Sequence, residues 1–366
     1  MPYIYQHKDW PDFHWDKEKI IDLLSAIRYQ QGKIIGRMES LGFDLRSEAS
    51  LEMLTGEIVK SHEIEGDILD LEQVRSSIAR RLGMDIPGLL PNDRHIDGIV
   101  EMMIDATTNY DQPLTKERLF GWHHALFPMG YSGPYKIQTA QWRTDKDGPM
   151  QVVSGAMGKE KVHFEAPSSE SIEKEMLQFL DWVNDDQKID PILKAAVAHL
   201  WFITIHPFDD GNGRITRAIT DFLLSRADQS KQRFYSMSVQ IRNERKQYYE
   251  ILEKTQKGRL DITNWILWFL TCLQETLHQS EILLLRVIRK AHFWQKHQNT
   301  ALNERQRKMI LRLQGAFFGK LNTSKWAKIC KCSQDTALRD INDLIQKGIM
   351  EKDEGKGKNT NYKLVE

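Results

Sequence analysis

Little in this 366-residue chain suits an oxidised, metal-stapled or membrane-embedded protein. It has three cysteines, Cys272, Cys330 and Cys332, an odd and sparse set with no CxxC spacing. That excludes a disulfide framework and argues for a reducing compartment. No uninterrupted apolar run is long enough to cross a bilayer, so no membrane partner is expected. The opening segment, MPYIYQHKDWPDFHWDKE, is charged and aromatic where a signal peptide would be apolar, and a cytoplasmic location is the expectation. Charge of either sign is not in excess: lysine plus arginine equals aspartate plus glutamate at 51 each, so global charge points to neither nucleic acid nor membrane. There is no GxxxxGK[ST] segment, which excludes a P-loop. The pair His62-Glu63 does not begin a zinc-binding HExxH, because Gly66 stands where the second histidine is needed.

What is present is mostly helical periodicity, and the length suggests two or three domains around a large core. Chemistry concentrates in one run, His206-Pro207-Phe208-Asp209-Asp210-Gly211-Asn212-Gly213-Arg214-Ile215-Thr216-Arg217. Upstream, Ile192, Ala196, Val197, Leu200 and Ile203 recur at helical spacing, predicting a helix over 191–205. Pro207 disfavours the helical conformation at His206, so the imidazole should project from the helix end. Periodicity resumes through Ile215, Ile219, Phe222 and Leu223, so a second helix opens near Gly211-Asn212-Gly213-Arg214. Its unpaired first amides, with glycine on either side of Asn212, form a nest for an oxygen-rich anion. Asn212 can add an amide donor. Arg214 and Arg217, three apart on one helix face, can both reach the same ligand. A chain of phosphates is the natural occupant. Asp210, just before the nest, suits magnesium together with phosphate oxygens, and His206 is the group able to take a proton near neutral pH. The plain alternative is a loop between two core helices, with Phe208 as its buried anchor.

A second run stands out at 51–66. Leu51, Leu54, Ile58, Ser61 and Glu65 fall three or four apart and form one helical stripe that begins apolar and ends in a hydroxyl and a carboxylate, with Gly66 as a C-cap. Either Glu65 lies at a solvated helix end or, carried inward, it meets a cation, because an unpaired buried carboxylate is very costly.

The first run resembles the Fic family motif HxFx[D/E]GNGRxxR, matching every specified position. The resemblance implies an all-α fold, a Fic-type helical core with a small β-hairpin flap, and the chemistry of protein adenylyltransferases, which move AMP from ATP to a side-chain hydroxyl of a target protein. It implies that His206 is the catalytic base and that Asp210 holds Mg2+. By the same resemblance Gly211, Asn212, Gly213, Arg214, Ile215, Thr216 and Arg217 form the nucleotide-binding segment, with Arg217 near the γ-phosphate and Phe208 a core anchor. Ser61-His62-Glu63-Ile64-Glu65-Gly66 is similar to the family's inhibitory motif [S/T]xxxE[G/N], which implies that Glu65 pairs with Arg217 in the space of the γ-phosphate while Ser61 steadies the helix. Tyr248-Tyr249 matches a tyrosine pair of the family, and on that alignment Tyr248 and Gln256 contact the nucleoside.

Between 130 and 167 helical periodicity fails, punctuated by Gly130, Gly133, Pro134, Gly148, Pro149, Gly155, Gly158 and Pro167. Gln151-Val152-Val153 and Lys161-Val162-His163-Phe164 read as a hairpin with a glycine-rich turn, either a plain surface hairpin or, by resemblance, the flap that holds an extended target segment by strand pairing. Val162 and His163 would then lie against the nucleotide. Adjacent His123 and His124 fall on different faces of a helix over 115–127 and are not expected to share a metal. Residues 3–15 suggest an extended aromatic arm.

The domain expectation is 1–110 for an N-terminal helical region with the inhibitory helix, 111–280 for the catalytic core, and 281–366 for a linker helix over 286–312 and a winged-helix-like module. In the last, 326–329, a turn at Cys330-Lys331-Cys332, 333–346 and a hairpin tip at Gly355-Lys356-Gly357-Lys358 resemble a winged helix-turn-helix. Its recognition helix offers Asp335, Asp340 and Asp343 against Arg339 and Lys347, poor chemistry for facing phosphates, so protein docking or homodimer formation is favoured over DNA. Competing readings remain: a nucleotide-sensing DNA-binding regulator, a hydrolase that removes AMP with Glu65 aligning water, or transfer of another group.

Overall fold

The computed structural model describes residues 2–84, 88–91, 93–146, 148–155, 159, 161–185, 189–314, 317, 319–353 and 360–365. Two compact units emerge, Met1–Leu283 and Leu284–Glu366. Among the described residues no helix is long and apolar enough to cross a membrane.

The first unit opens with turns, not with the extended arm that the aromatic pattern suggests. Ile4–Gln6 is a short 3-10 turn, and the segment bends repeatedly through backbone hydrogen bonds such as Trp10 N to His7 O at 3.1 Å. Aromatic rings explain the bending, because Trp10 and Phe13 both pack edge-on against Trp201, and a folded segment brings them together as an extended one would not. Helices α1 (Lys17–Glu39), α2 (Phe43–Glu65), α3 (Leu71–Arg81), α4 (Arg94–Thr108) and α5 (Lys116–Leu126) follow. Aspartate or threonine side chains cap four of them: Asp16, Asp70, Asp93 and Thr115 accept from first-turn amides of α1, α3, α4 and α5.

The irregular stretch holds two hairpins. A small one pairs β1 (Tyr131–Ser132) with β2 (Tyr135–Lys136), and a longer one pairs β3 (Gln151–Ser154) with β4 (Lys161–Glu165), antiparallel with a register shift between Val152 and Val153. Gly158, part of the expected turn, lies outside the described residues.

Helix α6 (Ser169–Asn184) leads into α7 (Pro191–Ile205) and α8 (Asn212–Asp228), a helical hairpin joined by the six-residue loop 206–211. Thirteen residues of α7, from Ile192 to Ile205, are buried, which is why its sequence is almost uninterruptedly apolar: it is the central helix of the core. Helix α2 packs on α3, α8 and α9 (Met237–Asn243), and α10 (Arg245–Gln256) contacts β4. Helix α11 (Thr263–Lys296) continues past the point where the sequence suggests a new domain, and the division between units falls within it.

In the second unit, the expected linker helix over 286–312 is not one helix. Residues up to 296 belong to α11, the chain turns at 297–303, and α12 (Glu304–Gln314) starts anew. A reciprocal cap marks the fresh start: Gln306 Oε1 accepts from Asn303 N at 3.0 Å and Asn303 Oδ1 accepts from Gln306 N at 2.9 Å. Helices α13 (Thr323–Cys330) and α14 (Gln334–Gln346) meet at a tight turn, and β5 (Met350–Asp353) pairs antiparallel with β6 (Asn361–Leu364). Trp326, Ile341, Leu344, Ile349 and Met350 form this unit's own core with Met309 and Ile310. The expected tip, Gly355 to Lys358, lies outside the described residues.

Candidate active site

The loop between α7 and α8 is built for position. His206 takes a left-handed backbone conformation, φ 54°, at the C-cap of α7, and its Nδ1 lies 3.1 Å from Ile203 O. A carbonyl only accepts, so Nδ1 carries the proton and the neutral ring presents the Nε2 lone pair. Burial is the main cause of a pKa lowered to about 4, with the hydrogen bond to Ile203 opposing and the Arg143 charge reinforcing it. The ring is thus neutral across the physiological range.

Asn212 does not offer its side chain to a ligand. Its Oδ1 accepts from Phe208 N at 3.0 Å and its Nδ2 donates to Phe208 O at 2.7 Å, stapling the loop to itself. Only its backbone remains for the nest. Gly211 precedes it at φ 81°, and a Cβ there would meet Phe127 Cε2 at 2.8 Å, so glycine is required twice over. No side chain caps α8, which leaves its first-turn amides facing the cavity.

What faces those amides is Glu65. An ideal Cβ on Gly213 would stand 2.1 Å from Glu65 Oε1, so the carboxylate lies directly on the nest. The stripe ending in Ser61 and Glu65 runs inward: Arg217 donates from Nη1 to Glu65 Oε1 at 2.8 Å, from Nε to Ser61 Oγ at 2.8 Å, and from Nη2 to Ser61 O at 2.7 Å. Arg217 is 2% exposed and the Glu65 side chain 29%, so the carboxylate at the exposed end of α2 meets a buried cation. Arg214 is also drawn to the end of α2, with Nη1 2.8 Å from Asp67 Oδ2 and its guanidinium over the Phe127 ring. Both arginines share the face foreseen for them, but both are turned toward α2.

The cavity over the nest has a volume of about 610 Å³ and is walled by the α7–α8 loop, the β3–β4 hairpin and α10. Of the expected residues, Glu65, Asp210, Gly211, Asn212, Gly213, His206, His163, Tyr248 and Gln256 line it. Val162 does not: it is 39% exposed, next to a register shift in the hairpin. Ile215 and Thr216 are fully buried in α8, Thr216 bonded through Oγ1 to Asn212 O, and their side chains serve the core. The Tyr248 hydroxyl faces His199 Nε2 at 3.0 Å, leaving only the ring for the cavity. Gln256 Nε2 lies 3.3 Å from Thr204 Oγ1.

Three supporting residues, His123, Arg143 and Ser132, carried no motif signal. His123 stacks on Phe208 at 4.2 Å; its Nδ1 accepts from Ala140 N, so its Nε2 donates to Asp210 O at 3.1 Å. Arg143, 2% exposed, donates from Nε to His206 O at 2.8 Å and from its backbone to Pro207 O at 2.9 Å, clamping the loop from outside. Ser132 donates to the Asp210 carboxylate, and Tyr249 OH reaches Glu65 Oε2 at 3.4 Å. The only sequence hint was their setting: His123 on a predicted helix and Arg143 and Ser132 in a stretch too irregular to be filler.

These features define a class: an all-helical scaffold with a proton acceptor at one helix end and an oxyanion nest at the start of the next. Residues 113–224 match the family described as Fic/DOC, and residues 3–84 match a domain of unknown function, DUF4172. This part of the chain is therefore a Fic domain. The chain is 24% identical over 224 residues to a protein adenylyltransferase Fic of Nematostella vectensis, covering 60% of this chain and 47% of that one. It spans less than half the length of the curated relatives it matches. Among solved structures, a Fic family protein from Desulfovibrio desulfuricans G20 superposes with a TM-score of 0.52 at 20% identity, covering 94% of this chain and 95% of that one. A Fic domain containing signaling protein from Bacteroides thetaiotaomicron VPI-5482 gives 0.54 at 22% identity, covering 72% and 97%. These two likenesses speak for the fold alone.

Proposed function

We propose that the chain is a protein adenylyltransferase that moves AMP from ATP to a serine, threonine or tyrosine hydroxyl of a target protein, with Glu65 holding its resting activity low. The observation that carries this reading is the position of Glu65: an internal carboxylate pairs with Arg217 and lies on the nest, within the cavity that His206 also lines. A group of like charge, the γ-phosphate, would take that place once the carboxylate leaves. The names of the curated relatives support the reaction class.

In this scheme the amides of Gly211 to Arg214 seat the triphosphate. Magnesium is held by one or two carboxylates plus substrate phosphates and waters. Asp210, which lines the cavity at the edge of the nest, is the carboxylate that would serve that use. Bound there, the metal would neutralise phosphate charge. His206 Nε2 takes the proton of the target hydroxyl, the oxygen bonds to the α-phosphorus, and the bond to pyrophosphate breaks. Rate enhancement comes from alignment and charge stabilisation. The β3–β4 hairpin, exposed along much of its length, would hold an extended target segment by strand pairing.

The test is labelled-AMP incorporation in a lysate. Glu65→Gly should raise it, and adding His206→Ala should abolish it. Equal labelling by the single and double variants would sink both role assignments. A second reading has one observation in its favour: Glu65 shares the cavity with His206, where a carboxylate could align water to remove AMP from a modified target. Release of AMP from a premodified target by the unaltered chain, lost in Glu65→Gly, would favour that direction.

A further inference from the structure

The charge balance of the whole chain conceals a division. Residues 284–366 carry 18 lysines and arginines against 8 aspartates and glutamates, a net +10, which leaves −10 for residues 1–283. A basic unit on an acidic partner within one neutral chain is the distribution expected where one part meets a polyanion.

In sequence, the aspartates of α14 argue against that partner. One of the three, Asp340, is not on its open face, and a second, Asp343, is half-exposed but paired. Asp340 is 5% exposed and turned toward α12, where its carboxylate accepts from Arg305 Nε at 2.7 Å, Arg305 Nη2 at 3.0 Å and Asn303 Nδ2 at 2.9 Å. Asp343 accepts from Gln306 Nε2 at 2.7 Å and is paired with Lys347. Neutralised by these neighbours, they contribute little repulsion to an approaching phosphate. The buried side of α14 is Ala337, Asp340, Ile341 and Leu344. Its exposed side, at helical spacing, is Asp335, Leu338, Arg339, Asn342 and Gln346.

That face has the chemistry of base-edge reading: arginine for guanine, asparagine and glutamine for adenine, and an apolar group for the thymine methyl. The frame also suits it. Lys331 closes α13 in the left-handed conformation, its amide and that of Cys332 bonding Ala327 O, and Ser333 caps α14, so the second helix leaves the turn at once. Lys328 and Lys331, both exposed, stand on the preceding helix and in the turn, where phosphate contacts would fix the register. From the +10 charge, the internally paired aspartates and the Arg339-Asn342-Gln346 face, we propose that residues 284–366 bind duplex DNA with α14 in the major groove. The proposal goes beyond adenylyl transfer and is independent of it, since binding and transfer are assayed separately.

The full chain is titrated into a fluorescently labelled mixed-sequence DNA duplex of about three helical turns, with anisotropy read at about 50 mM and about 200 mM salt. Binding is expected at the lower salt and should weaken at least about tenfold at the higher, because counterions are released from several phosphates. Arg339→Ala with Lys331→Ala should weaken it roughly tenfold or more and flatten the salt dependence. Asp335→Asn should tighten it. All three substitutions are at exposed positions, and an unchanged circular dichroism spectrum and melting curve separates lost binding from lost folding. The proposal is overturned by no binding at low salt, by equal affinity in the Arg339/Lys331 variant, or by a duplex RNA that competes as well as the DNA, since an A-form major groove does not admit a helix. A protein dimer dissolved by the same substitutions, with no DNA bound, would also overturn it.

Discussion

Glu65 and Asp340 are the same chemistry in two regions of one chain: each is a carboxylate on a helix, and each meets an arginine. Around Glu65 the pair joins a carboxylate that lines the cavity to a buried arginine, and the carboxylate lies against Gly213. Around Asp340 the pair is folded between α12 and α14 and withholds the acid itself from the outer face. On the two readings proposed above, the first pairing would conceal a binding site, whereas the second would uncover one. A charge therefore cannot be assigned a role until its partner and the side it faces are known.

The largest effect expected from breaking this comparison lies at the Glu65 end. In the Glu65→Gly background, His206→Ala should lower transfer by roughly 10²–10⁴-fold, the usual loss for a general base. Next, Glu65→Gly alone should raise transfer by roughly 5–150-fold, the range of a coupling free energy carried by one contact set, measured as the initial rate of label incorporation. The equivalent break at the other end, Asp340→Asn, should leave transfer unchanged and instead cost the second unit about 1–3 kcal/mol of stability by denaturant titration. If Asp340→Asn altered transfer as much as Glu65→Gly, the two pairs would not be separable in this way.

A finer probe is Gly213→Ala. Its Cβ would fall on the Glu65 carboxylate, so the substitution should cost about 1–3 kcal/mol in the unaltered chain, and less in Glu65→Gly, a non-additivity read by a double-mutant cycle. The smallest contrast is in acid. Burial depresses His62 and His199 to about 3, and His123 and His206 to about 4, all in the first unit. A histidine with a lowered folded pKa contributes stability that is complete above about 6.5 and lost as pH falls toward the folded value, because the unfolded chain binds the proton first. In the second unit, burial would raise Asp340, but hydrogen bonds from Arg305 and Asn303 lower it below the usual carboxylate range, so its contribution survives until pH falls below about 4. Calorimetric scans at pH 7 and pH 5 should therefore move the first unit's transition more than the second's. Equal shifts would contradict the assignment of the buried histidines.

The helices were legible because each buries a stripe: the periodicity of α7 and α8 and the proline after His206 placed the loop and both helix ends. The glycines around Asn212 were legible for the same local reason. What could not be read was anything that depends on a partner distant in sequence. The amide of Asn212 is spent on Phe208, Val162 is left exposed beside a register shift, and Ile215 and Thr216 face the core. Arg143 reaches His206 O across 63 residues, and no spacing rule connects them. Nor could the surroundings of the α14 aspartates be read, because Arg305 and Gln306, which bond Asp340 and Asp343, belong to another helix. The pairing of Glu65 with Arg217 could be foreseen only through the family motif, since the stripe alone left both the solvated and the inward alternatives open.

The most direct test of the central claim is a crystal structure of Glu65→Gly with ATP and magnesium bound. The account predicts the triphosphate on the amides of Gly211 to Arg214, the γ-phosphate in the space of the lost carboxylate against Arg217, and His206 Nε2 facing the α-phosphorus. A triphosphate lodged elsewhere in the molecule, or an imidazole turned away from the α-phosphorus, would contradict it.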